Sequence, residues 1–278
     1  MRMFRTMAAA GIASVLCIGL AAAQTAAKPA PAYEPQSGQA GKDVVWVPTH
    51  QALVDRMLDM AKVTAADYVV DLGSGDGRTV ITAAQRGARA LGIEYNPDLV
   101  ALSQRNAASE GVGDKARFVQ ADIFESNFSD ATVVTLFLLP DLNVKLRPII
   151  LKMKPGTRVV SNSFNMGEWT PDETIQAQGE CRNFCRAHFW VVPAQVGGTW
   201  KLSDGELVLQ QDFQMLAGTL KRGGNEMSIT DAKMNGTEIV FTAGGRRFTG
   251  KLEGGRFEGQ SQAADGGNQA WSAVRGNM

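Results

Sequence analysis

Asp71, Asp76, Glu94 and Asp122 are the acidic residues whose setting suits chemistry. The segment VVDLGSGDGR, residues 69–78, runs an apolar strand straight into Gly73, Ser74, Gly75, Asp76 and Gly77 and then into a helical pattern. Glycines there let the backbone turn sharply and approach a ligand with no Cβ in the way. The G-x-G-x-G spacing lacks the G-x-G-x-x-G of dinucleotide sites, where a helix N-terminus faces a pyrophosphate. A ligand without phosphate fits better: backbone N–H groups would take a carboxylate, and Asp71 or Asp76 an ammonium. Glu94 ends the next apolar run, in GIEYNP, where its carboxylate can accept two ribose hydroxyls. Asp122 ends the third, in QADIF, placed to accept from an adenine amino group while Ile123 covers the ring. Singly, each is as well read as a solvated or capping acid, and the glycines as an ordinary turn. Three such strand ends in order are much less easily coincidental.

The surrounding elements would position these residues. From Asp43 to about Ala194, strand-length apolar runs alternate with helical patterns, which predicts a parallel sheet with helices on both faces. The strands are expected at 68–72, 90–94, 117–121, 132–138 and 157–162. Asn96-Pro97 supplies a cap and first-turn proline for a helix that Gly111 ends. A helix after Pro140 begins with Asp141 as a possible cap, and Pro148 should kink or divide it. Two further strands, 174–178 and 188–192, flank Cys181 and Cys185 and suit an antiparallel hairpin with the cysteines pinning its tip.

At these residues the chain resembles the protein-lysine methyltransferases that include a small archaeal broad-specificity enzyme and the mitochondrial enzyme acting on the c ring of ATP synthase. The resemblance spans about residues 45–172 and rests on WVPTHQALVDRMLDMAKV, DLGSGDGR, GIEYNP, LFLLPDLN and KPGTRVVSNSFNMGEW. It implies a Rossmann-like class I fold using S-adenosyl-L-methionine (SAM), with Thr49, Asp71, Gly73, Gly75, Glu94, Asn96 and Asp122 at the cofactor. It also places Pro140 and its neighbours beside the target amine. Two departures fall on the substrate side, where the family usually has tyrosine at Trp46 and often histidine at Asn162. Trp46, Pro140 and Asn162 are the substrate-channel candidates, and no acid or base is assigned to catalysis, since methyl transfer to a neutral amine needs alignment and desolvation. The implied acceptor is a protein lysine. A small-molecule acceptor, or a noncatalytic binding or structural module retaining the fold, is the alternative.

The remaining segments set the context. Residues 1–23 read as an export signal: Arg2 and Arg5, an apolar stretch from Met7 to Leu20, and Ala21-Ala22-Ala23 before Gln24. That predicts a periplasmic or secreted protein with no stable membrane span after cleavage, an uncleaved anchor being the alternative, and it requires SAM to be delivered outside the cytoplasm. Residues 24–42 are rich in Ala, Pro and Gly and read as a flexible linker. Loss of residues 1–23 removes two arginines and no acid, leaving a net charge of about −2 and no electrostatic footprint for nucleic acid. The partner this context suggests is a protein substrate in the cell envelope. Cys181 and Cys185 suit a disulfide in an exported chain, with inert thiols as the alternative. Neither these cysteines nor His50 and His188 follow metal-ligand spacing, and His50 reads as a helix-start surface residue. Residues 195–278 hold more than half of the 30 glycines and alternate like a small all-β barrel or sandwich of eight strands, with Trp200 and Trp271 as core plugs.

Overall fold

The computed structural model describes residues 33–179 and 181–276. The expected signal and most of the expected linker, residues 1–32, lie outside them. No helix among the described residues is long and apolar enough to cross a membrane.

The first part alternates as its hydrophobic pattern requires. After α1 (Gln51–Met60) come β1 (Tyr68–Leu72), α2 (Arg78–Gln85), β2 (Arg89–Glu94), α3 (Pro97–Ser109), β3 (Ala116–Gln120), β4 (Val133–Leu136), α4 (Pro140–Ile150), β5 (Arg158–Asn162), β6 (Glu173–Gln176) and β7 (Arg186–Val191). The sheet order is β3-β2-β1-β4-β5-β7-β6. The first five strands are parallel and β7 runs antiparallel between β5 and β6. Both faces are covered, so the strands are apolar throughout. Val69, Val133 and Val160 pack with Leu53, Val54, Val80 and Val100 of α1, α2 and α3. Val70, Val134 and Val159 face the other way, toward Leu146 and Ile150 of α4.

The caps follow the sequence in part. Asn96 caps α3, its side chain accepting from the Asp98 N–H at 2.9 Å, and Pro97 opens the first turn. Asn96→Ala should lower stability by about 1 kcal/mol, a fall in Tm of about 2–4 °C in a chain of this size, measured by thermal melting. His50 caps α1 through Nδ1. Asp141 is not the cap of α4. Leu139 holds that position without a side-chain bond, because Pro140 takes the first turn and needs no acceptor for a missing N–H. Nor does Pro148 divide α4, which continues to Ile150. The carbonyl that Pro148 leaves unpaired belongs to Val144, an exposed residue that water can serve.

The second part is a closed antiparallel barrel. Its strands are β8 (Gly198–Leu202), β9 (Gly205–Asp212), β10 (Met215–Arg222), β11 (Asn225–Ser228), β12 (Thr230–Asn235), β13 (Glu238–Ala243), β14 (Arg246–Glu253), β15 (Arg256–Ala263) and β16 (Asn268–Arg275). Neighbours pair in chain order, and β16 returns to β8 to close the ring. The count of eight holds for the staves: β11 and β12 lie along the same side of β10 and form one stave, interrupted by a bulge where Asp231 adopts φ 49°. The interior is filled, with Trp200, Phe241, Phe248, Phe257 and Trp271 buried and in mutual ring contact. Trp200 and Trp271 are thus the plugs their spacing suggested, and the barrel is a packed core.

The two parts share a seam. Trp169 stacks on Phe213 at 6.2 Å, Gln214 donates to the Thr170 carbonyl at 2.7 Å, and Lys233 pairs with Asp172 at 2.8 Å.

Candidate active site

A cavity of about 480 Å³ opens along the carboxyl ends of the parallel strands, across the point where the order reverses between β1 and β4. That crevice is where open α/β sheets bind ligands, and the volume is ordinary for a small-molecule pocket. Thr49, Asp71, Gly73, Ser74, Gly75, Asp76, Glu94, Asn96, Asp122, Ile123 and Trp46 all line it.

Its two halves differ in chemistry. The half above β1, β2 and β3 carries every titratable residue that lines the cavity among the described residues, including Asp71, Asp76, Glu94 and Asp122. The half above β4, β5 and the β6–β7 loop is formed by Phe137, Leu138, Leu139, Leu142, Phe164 and Phe184.

In the polar half the glycine turn does what its spacing predicts. Gly73 and Gly75 have φ of 80° and 55°, which a side chain would resist, and a Cβ on Gly75 would come within 2.6 Å of Trp46 Nε1. The Gly75 N–H donates to Glu94 Oε2 at 3.0 Å, and the Asn96 N–H to Glu94 Oε1 at 2.9 Å. Two backbone donors therefore fix the carboxylate and leave each oxygen a further lone pair. Asp71 is buried and accepts from Thr135 Oγ1 at 2.6 Å. Burial pushes its carboxyl up to about 7, and the hydroxyls of Thr135 and Thr79 oppose this while the negative charges of Glu94 and Asp76 add to it. Asp76 pairs with Arg78, whose other nitrogen donates to the Thr49 carbonyl at 2.7 Å. Arg78 thereby ties the glycine turn to the VPT segment.

Three expected site residues do not line the cavity. Gly77 caps α2 at φ 83°, where a Cβ would strike Phe118 and Ser103, so its role is helix–sheet packing. Asn162 is buried and donates to Thr49 Oγ1 at 3.1 Å, so it positions a wall residue from behind. Pro140 is exposed on α4, and its neighbours Leu139 and Leu142 face the cavity in its place.

The flexible reading of residues 24–42 fails over its last part. Gly38 donates to the Trp46 carbonyl at 2.8 Å, Trp46 donates back to Gln39 at 2.9 Å, and Gly41 donates to Val44 at 3.0 Å. This hairpin strap lines the cavity with Gln39 to Trp46. Lys42 lies over the Tyr95 ring and pairs with Asp122. The Lys42 hydrogen bond, helped by the Phe124 N–H, holds the Asp122 carboxyl below the usual range. Composition hid this strap, because Gly and Ala serve a tight turn as well as a loose tether. Phe137, Phe164 and Phe184 also went unassigned. An aromatic inside a five-residue Cys–Cys loop was the one available signal for Phe184.

The sheet order, the glycine turn after β1 and the acid ending β2 define a class I SAM-dependent methyltransferase. Residues 71–173 match the ANTKMT methyltransferase domain family, and a protein-lysine N-methyltransferase of Saccharolobus islandicus is 44% identical over 138 residues, covering 49% of this chain and 86% of that protein. The chain belongs to this methyltransferase family. A lysine N-methyltransferase of Rattus norvegicus, named for the C-type subunit of ATP synthase, is 39% identical over 107 residues, spanning 38% of this chain and 50% of the relative. Among solved structures, an RNA methyltransferase from Salinibacter ruber in complex with S-adenosyl-L-homocysteine is 49% identical, with TM-score 0.51, covering 54% of this chain and 96% of that one. The cofactor is SAM. The residues present fit it: a fixed carboxylate for a diol, a buried acid for an ammonium, and a cavity of adequate size.

Proposed function

We propose that the chain methylates the side-chain amine of a protein lysine, and that it does so outside the cytoplasm on a protein of the cell envelope. The observation that carries the amine reading is the division of the cavity into a charged half and an apolar, largely aromatic half. When bound, the cofactor supplies an electrophilic methyl group on a sulfonium. Glu94 would hold the ribose, Asp71 and the Gly73–Gly75 turn the amino-acid end, and Asp122 and Ile123 the adenine. Phe137, Phe164 and Leu139 would surround the incoming aliphatic stem and exclude water. A lysine ammonium, of reference pKa about 10.4, loses solvation there, which favours the neutral amine that can attack. No general base is needed at the reacting atoms. The envelope location rests on the residues 1–23 pattern, and the lysine reading is supported by the family relatives named for that acceptor.

The test has two stages. Calorimetry on the mature protein should give micromolar binding of SAM and S-adenosylhomocysteine. Incubation with methyl-tritiated SAM and envelope protein should then place label in methyllysine after acid hydrolysis, and prior acetylation of the lysines should abolish it. Binding without methyllysine, with label in small molecules or RNA instead, would overturn the lysine acceptor.

A further inference from the structure

The loop between β6 and β7 is closed twice. Cys181 and Cys185 form a disulfide, and the Ala177 N–H donates to the Cys185 carbonyl at 2.7 Å. Cys185 is buried in the core formed with α1, and Cys181 packs against the same cluster. The ring they close is Cys-Arg-Asn-Phe-Cys, and Phe184 stands in it at φ 54°. A bulky side chain is rare in that left-handed region, which costs roughly 1–2 kcal/mol, so something must hold it there. The outcome is visible in the cavity. Phe184 meets Phe137 edge-on at 5.3 Å and Phe164 at 6.2 Å, and all three line the apolar half. They arrive from three different connections, after β4, after β5 and between β6 and β7, and only the last is covalently locked.

We propose that Phe184, held by the Cys181–Cys185 bond, is a specificity-determining wall of the acceptor channel. The disulfide thereby sets acceptor affinity while leaving cofactor affinity alone. The acceptor class this wall takes is an unbranched alkyl amine, since three phenylalanine rings offer contact along a methylene stem and no hydrogen-bond partner to a branched polar group. The inference rests on the methyltransferase reading above. Cofactor independence follows from position: the disulfide loop lies beyond β5, and the glycine turn, Glu94 and Asp122 lie on the other side of β1.

The test needs no knowledge of the natural acceptor. Its probe is a SAM analogue with nitrogen in place of sulfur, carrying a six-carbon alkyl arm where the methyl group would be. Calorimetry compares its affinity with that of S-adenosylhomocysteine. In the oxidised wild-type chain the arm should strengthen binding at least tenfold. In Phe184→Ala, and in the Cys181→Ser/Cys185→Ser double variant, most of that gain should vanish while S-adenosylhomocysteine affinity stays within twofold. Phe184→Leu, which keeps apolar bulk, should retain much of the gain. Phe184→Ala preserves the disulfide and serves if the double variant fails to fold. An arm that adds nothing in wild type, or an unchanged gain in Phe184→Ala, would overturn the proposal. Absence of S-adenosylhomocysteine binding by folded wild type would instead overturn the methyltransferase reading itself.

Discussion

Glu94→Ala should weaken S-adenosylhomocysteine binding about a hundredfold, and Glu94→Gln about tenfold. The carboxylate ends β2 with its two oxygens fixed by the Gly75 and Asn96 N–H groups. Hydrogen bonds to a charged group contribute about 1.5–3 kcal/mol each, so losing the acceptor for a diol corresponds to roughly two powers of ten. Glutamine keeps one carbonyl oxygen but turns the other position into a donor, which opposes one of the two N–H groups. The alanine variant leaves those amides facing the cavity, where water can take them, so the fold should survive. Calorimetry with a thermal melt as control measures both. A folded alanine variant that binds within threefold of wild type would remove Glu94 from the cofactor site.

SAM affinity should also rise with pH through neutrality, and Asp71 is the reason. Its carboxyl sits at about 7 in the folded chain because burial disfavours the charged form. An ammonium and a sulfonium nearby favour the ionised form, so binding below pH 7 must expel a proton. Affinity should fall by up to tenfold per pH unit below 7 and flatten above about 8. Asp71→Asn should abolish the slope while weakening binding at pH 8. The sign for stability is the opposite. Between the ordinary carboxylate range and 7 the folded chain holds a proton that the unfolded chain has released, so unfolding free energy falls as pH rises through that window. Saturating SAM should reduce that loss. Isothermal titrations at pH 6, 7 and 8 in buffers of differing ionisation enthalpy report the proton directly, and a pH-independent affinity would sink the assignment.

The fold was legible to the extent that periodicity decides it. Val69 to Leu72 and its neighbours are apolar on both faces, the signature of a doubly covered sheet, and the alternating glycine-rich tail closes as a barrel around Trp200 and Trp271. The polar half of the cavity was legible for a related reason. Its residues end consecutive strands, so sequence order becomes spatial order. The aromatic half was not. Phe137, Phe164 and Phe184 come from separate loops, and only the crossing of β4, β5 and β7 brings them together. Asn162 has the right position after β5 for a wall residue, but its amide turns toward Thr49. The strap failed for want of a composition that separates a hairpin of small residues from a tether.

Closure of the barrel bears on how copies of the chain meet. With β16 paired to β8, the ring presents no open row of amides for a neighbouring molecule to extend. Among the described residues of the first sheet the flanking strands are β3 and the four-residue β6, both short. Strand-to-strand polymerisation has little to start from. The adhesive surface of the molecule is instead the rim of the cavity, where Val45, Tyr95, Leu139 and Phe184 stand exposed together. Self-association at high concentration should therefore be governed by that apolar rim, and an occupied cavity should be a more soluble one.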